Sequence, residues 1–166
     1  MVIVVMGVEG SGKTTTGSIL ARRLGWPFEE GDALHPPANV ARMRAGQPLT
    51  DADRLPWLEA VTAWGEARLD AGENGIITCS ALKRAYRDII DRRGRGVVFV
   101  FLRGSRDLIA ARLGERHGHF MPASLLDSQL ADLERPAADE PAISVDIGGP
   151  PEAIADEIVA RLGLGE

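Results

Sequence analysis

Five apolar residues, Val2-Ile3-Val4-Val5-Met6, run directly into Gly7-Val8-Glu9-Gly10-Ser11-Gly12-Lys13-Thr14. The octapeptide satisfies GxxxxGK followed by Ser or Thr in full. It stands between a run that reads as a buried strand and a segment, 13–24, that reads as a helix, which is the context the pattern requires. Its glycines let the backbone curl with N–H groups turned inward, and the helix adds its positive N-terminus, so the loop is built to hold phosphates. Lys13 would reach the β- and γ-phosphates as a point charge, and the Thr14 hydroxyl would ligate Mg²⁺, with Thr15 continuing the stretch into the helix. ATP with Mg²⁺ is therefore the expected co-substrate pair.

Further apolar strands are expected at 26–30, 75–79, 97–102 and 143–147. Helices are expected at 39–44, from Thr50 onward, and at 81–93, 105–115 and 125–133. A last helix would start at Pro151, a residue suited to a first helical turn. Thr50 with Asp53 three residues on resembles a capping box. Trp57, Ala60, Trp64 and Ala67 then lay one apolar stripe along the helix that follows. Strands alternating with helices predict an α/β fold, a three-layer doubly wound parallel five-stranded sheet. One domain over 1–166 is expected, with a substrate-binding insertion at about 35–72 and a lid at about 116–124.

The phosphate loop alone does not choose among motors, switch GTPases and small-molecule kinases. Motors and switches carry an aspartate at the end of a further buried strand. Here the 75–79 strand runs into Ser80 and the 97–102 strand into Arg103, and no NKxD-like guanine reader is present. The net charge of -5 argues against a nucleic-acid binder, whose affinity rests on neutralising phosphates. The apolar start is too short to span a membrane and lacks a basic leader, and no later run is long enough. The single cysteine, Cys79, precludes an internal disulfide, fits a cytoplasmic setting, and reads as a small buried hydrophobe.

The acidic residues fall at the end of the second strand, in Glu29-Glu30-Gly31-Asp32. Strand ends in a parallel sheet face the ligand crevice, so Asp32 is placed to accept the proton of an attacking hydroxyl. Glu30, one alternation earlier, would hold a Mg²⁺-bound water. His35 follows in the same loop. Lys83 and Arg87, four apart on one helical face, would grip a carboxylate; the basic run continues through Arg92, Arg93 and Arg95, which also suits a solvated face. Arg112 and Arg116 precede a His-Gly loop, as lid arginines reaching transferring phosphoryl oxygens would.

Three stretches, GDALHPPANVARMRAGQPLTDADRLPWL (31–58), CSALKRAYRDII (79–90) and HGHFMPASLLDSQLADLE (117–134), resemble the bacterial-type gluconokinases of the P-loop kinase group. The likeness runs through nearly the whole chain. It implies a homodimer and transfer of the ATP γ-phosphate to the 6-hydroxyl of D-gluconate. The end of the second strand also resembles shikimate kinase, where two alternate aspartates serve metal and acceptor. Glu30 stands where the gluconokinases usually have the first aspartate of Asp-Gly-Asp. On this likeness gluconate would lie between 31–58 and 80–87, held by Lys83, Arg87, His35 and Arg54. Another small acceptor, such as shikimate or a nucleotide, and a switch module without an acceptor are the competing readings.

Overall fold

The computed structural model describes residues 1–114 and 123–164. Among them the elements run β1 (Val2–Met6), α1 (Lys13–Leu24), β2 (Phe28–Glu30), a 3₁₀ turn (Gly31–Leu34), α2 (Pro37–Arg44), α3 (Asp51–Asp70) and β3 (Gly75–Thr78). They continue with α4 (Arg84–Ile90), β4 (Val97–Arg103), α5 (Arg106–Gly114), α6 (Ala123–Asp132), β5 (Ala142–Asp146) and α7 (Pro151–Leu162).

The strands form one five-stranded sheet in the order β2-β3-β1-β4-β5, every pairing parallel. The unbroken apolar run of β1 now has its reason: the strand is central and both of its faces are covered. Ile3 and Val5 join a core with Ile19 and Leu20 of α1, Ile109 of α5 and Ile154 and Ile158 of α7. Val2, Val4 and Met6 face the other way, against Trp57, Leu58 and Val61 of α3 and Tyr86 and Ile90 of α4. Each such side chain contributes roughly 1.5–3 kcal/mol of burial. The two cores hold the sheet between helices, so its carboxyl edge is a fixed platform.

Thr50 caps α3 as expected: its hydroxyl accepts from Asp53 N at 3.1 Å, and Asp53 Oδ2 accepts from Thr50 N at 2.9 Å. The second strand and the helix expected over 81–93 are shorter than the pattern suggested. The second strand starts at Phe28. The helix expected over 81–93 spans only Arg84–Ile90, because Ala81 adopts φ 47° and Lys83 is extended. Arg92 and Arg93 lie beyond its end and pair at the surface with Glu59, Glu66 and Asp70 of α3.

Candidate active site

The loop after β1 closes onto α1 through Gly12, whose φ of 95° is a left-handed conformation that a side chain would strain. No acidic residue of its own occupies the first turn of α1, so the helix offers its positive end to an anion in the loop. Lys13 Nζ donates to the carbonyls of Gly7 and Val8, at 2.9 and 3.1 Å, which curls the ammonium back over the loop. On the outer side of the loop, Glu9 N donates to the side-chain oxygen of Gln129 on α6 at 2.7 Å. Helix α6 is thereby attached to the phosphate loop.

At the end of β2, Glu30 Oε2 accepts from the Thr14 hydroxyl at 3.1 Å and from the Thr78 hydroxyl at 3.0 Å. The carboxylate predicted for the metal therefore touches the hydroxyl predicted for the metal. Gly31 is forced by packing: a Cβ there would sit 1.9 Å from the carbonyl oxygen of Thr78. Its own N–H donates to Thr78 Oγ1 at 3.1 Å, and its carbonyl accepts from Trp57 Nε1 at 2.9 Å. These contacts fix the turn that carries Asp32.

Two clefts open along the carboxyl edge of the sheet. One holds the phosphate loop from Glu9 to Thr16, with Glu30, Thr78, Arg112, Pro151 and Ile154 around it. The other is lined by His35, Met43, Leu49, Arg54 and Trp57 on one side and by Ser80, Leu82 and Gln129 on the other. Glu9, Lys13 and Asp32 line both. A group bound in the first cleft and one bound in the second meet at Lys13 and Asp32.

In the second cleft the His35 ring stacks on Trp57, with centroids 4.1 Å apart. Burial, with the Arg54 charge added, pushes its pKa down to about 4, so the imidazole is neutral. Arg54 is nearly buried. It donates to the Tyr86 hydroxyl at 2.7 Å and lies 3.5 Å from Asp132 on α6. The Tyr86 hydroxyl donates in turn to Asp51, which also accepts from Lys83 at 3.1 Å. Lys83 thus belongs to a polar chain that ends on Arg54 in the cleft.

Arg87 does not join this group. It is buried, and its guanidinium is spent on Glu140, at 2.6 and 3.2 Å, and on the carbonyl of Ala81 at 2.8 Å. The expectation that it grips a substrate carboxylate is corrected: its charge braces the Ala81 turn and the chain after α6. Arg112 lines the phosphate cleft and donates to the Ile147 carbonyl at 2.7 Å. Arg116 and most of the expected lid lie outside the described residues. Cys79 is buried, and burial, with Asp32 nearby, pushes its thiol up to about 12, so it is no nucleophile.

Sequence reasoning missed Asn39 and Tyr86 and read Trp57 as packing alone. Trp57 is core on one face, yet its indole N–H and ring organise the Asp32 and His35 loop. No local motif marks such residues, since their partners lie on other elements.

A phosphate loop that shares Lys13 and Asp32 with an adjacent cleft is the arrangement of a P-loop small-molecule kinase. Known proteins agree with that class. Residues 2–136 match the family described as AAA domain. The chain is 53% identical over 157 residues to a gluconokinase of Gluconobacter oxydans, covering 95% of this chain and 88% of that one. The structure superposes on that of a Sinorhizobium meliloti gluconokinase with a TM-score of 0.87 and 48% identity, over 97% of this chain and 90% of the other. It superposes on that of a Janibacter sugar kinase with a TM-score of 0.93 and 49% identity, over 98% and 94%. The chain belongs to the gluconokinase family. Among the described residues no helix is long and apolar enough to cross a membrane.

Proposed function

We propose that this protein transfers the γ-phosphoryl group of ATP to the 6-hydroxyl of D-gluconate, giving 6-phospho-D-gluconate and ADP. The observation that carries the reading is the meeting of a phosphate cleft and a second cleft, lined by polar and apolar side chains, at Lys13 and Asp32, in a chain with gluconokinase relatives.

ATP would lie with its phosphates in the loop, the γ-phosphoryl turned toward the shared wall. Gluconate would lie in the second cleft, its primary hydroxyl beside Asp32. The hydroxyl oxygen attacks the γ-phosphorus as the bond to the bridging oxygen breaks, ADP departs, and the hydroxyl proton passes to the Asp32 carboxylate. Lys13 stabilises the negative charge spread over the transferring oxygens. Arg54 and His35 hold the acceptor's carboxylate and hydroxyls, and Lys83 steadies Arg54 through Asp51 and Tyr86. Arg112, with Arg116 from the lid, closes on the phosphates and excludes water, the competing acceptor.

Thr14 and Glu30 present a hydroxyl and a carboxylate 3.1 Å apart, the hard oxygen donors that suit Mg²⁺. Thr14 would hold the ion directly and Glu30 through a water; when bound, Mg²⁺ neutralises phosphate charge. The working unit is proposed to be a cytoplasmic homodimer, in keeping with the family likeness and the lone free thiol.

The test is an ADP-release assay with gluconate, shikimate and nucleoside monophosphates as acceptors. Turnover with gluconate well above the others is expected. Shikimate or a nucleotide as the preferred acceptor would assign the cleft to another substrate, and ADP formation independent of any acceptor would make the protein an ATPase or switch.

A further inference from the structure

Asn39 is buried at the start of α2, and its side chain meets two acceptors at once. Its amide nitrogen donates to the carbonyl of Asp53 at 2.8 Å and lies 3.2 Å from Nδ1 of His35. The first contact orients the amide: with nitrogen and oxygen exchanged, an amide oxygen would face the Asp53 carbonyl oxygen, two acceptors with no hydrogen between them. The amide nitrogen has two hydrogens. One is used on Asp53, and the other points at His35 Nδ1.

The consequence falls on the imidazole. A donor aimed at Nδ1 requires a lone pair there. The imidazolium, with hydrogens on both nitrogens, would oppose the amide hydrogen, and so would the tautomer protonated at Nδ1. Only the neutral ring with its hydrogen on Nε2 satisfies the contact. The stack on Trp57 fixes the ring plane, and His35 lines the acceptor cleft. Nε2–H is then the one polar group of the ring left for a ligand.

We propose that Asn39 is a positioning residue that locks His35 as the neutral Nε2–H tautomer, so that His35 offers the acceptor substrate one hydrogen-bond donor and no positive charge. The partner is an oxygen lone pair of a hydroxyl or carboxylate. The proposal rests on the second cleft being the acceptor site. Of the charged groups around the ring, Arg54 opposes protonation, whereas Asp32, across the same cleft, would favour it if it approached the ring.

The deciding experiment is a long-range ¹H–¹⁵N spectrum of the whole protein, uniformly labelled, at neutral pH without substrate, with His35 assigned by the loss of its signals in His35→Gln. The pattern of a pyridine-like Nδ1 and a pyrrole-like Nε2 is expected. A protonated Nδ1, or the averaged shifts of an exposed imidazole, would overturn the proposal whether or not gluconate is the substrate. A kinetic pair supplies the second reading. Glutamine places an amide N–H near the Nε2 position, asparagine near Nδ1. His35→Asn should therefore raise KM for gluconate about 3- to 10-fold more than His35→Gln, the effect of one neutral hydrogen bond. An equal rise in both would remove the Nε2 donor from substrate binding. If neither variant nor the parent turns over gluconate while the spectrum shows the Nε2–H form, the tautomer lock stands and the acceptor assignment fails.

Discussion

The Thr14 hydroxyl donates to the Glu30 carboxylate across 3.1 Å, joining the first turn of α1 to the end of β2. Thr14 is exposed and Glu30 half-buried at the phosphate cleft, and Thr78 also holds Glu30. A carboxylate kept in place by two hydroxyls can anchor hydrated Mg²⁺ without rearranging.

Glu30→Gln should therefore raise the Mg²⁺ concentration needed for half-maximal rate by about 10- to 100-fold, the effect expected of a residue acting through a metal-bound water. Glutamine keeps an oxygen for the two hydroxyls, so the melting temperature of the free protein should hold. A magnesium titration of the rate checks this. An unchanged titration with lowered stability would make Glu30 a packing residue.

Arg87→Ala should destabilise the protein by about 3–5 kcal/mol, because it strands the buried Glu140 carboxylate. KM for gluconate should stay near the parent value. Arg87 holds Glu140 below the usual carboxylate range, with help from the Ala137 N–H. The native value is depressed, so this stabilisation is complete above the ordinary glutamate pKa and is lost as pH falls through the lowered one. Urea unfolding of parent and variant at several acid pH values should show the two converging as the solution becomes more acidic. A variant of normal stability with a raised KM would return Arg87 to the substrate.

Arg87 shows where sequence reading stops. Its four-residue spacing from Lys83 predicts a shared helical face, and that inference needs both residues inside the helix. Lys83 is instead the residue before α4, and Glu140, the true partner of Arg87, is 53 residues away. The phosphate loop and the Thr50 cap were legible because each is written in consecutive residues and satisfied locally. The parallel sheet was legible from apolar runs at regular intervals. The His35–Trp57 stack and the Asn39 contact join segments separated by a helix start, so no periodicity reports them. Glu30 and Asp32 were legible as strand-end carboxylates, while the Thr78 clasp on Glu30 depends on the β2–β3 pairing.

His35 should leave no mark on the pH profile of kcat/KM for gluconate between about pH 5.5 and 8. Its native pKa of about 4 lies below the unfolded value of about 6.5. The unfolded chain thus binds the proton more readily. The contribution to stability is present above 6.5 and is lost as pH falls toward 4. A profile with an inflection near 6.5 that disappears in His35→Gln would contradict the buried neutral ring.

Asp32→Asn should lower kcat by about 100-fold, the lower end of the range for a general base, because phosphoryl transfer is loose and asks little of the base. KM for ATP should change little, since the phosphate loop is untouched. Steady-state kinetics at saturating gluconate measure this. A normal kcat would leave Asp32 a turn residue.

The shared wall at Lys13 and Asp32 is proposed to pass a phosphoryl group from ATP to a primary hydroxyl. Phosphorus NMR of a mixture of ATP, Mg²⁺, gluconate and the protein follows the donor and the product together. The γ-phosphate signal should disappear in step with the growth of one phosphomonoester signal, coupled to the two protons of the C6 methylene. Release of inorganic phosphate alone, or a phosphoester coupled to a single methine proton, would contradict the account.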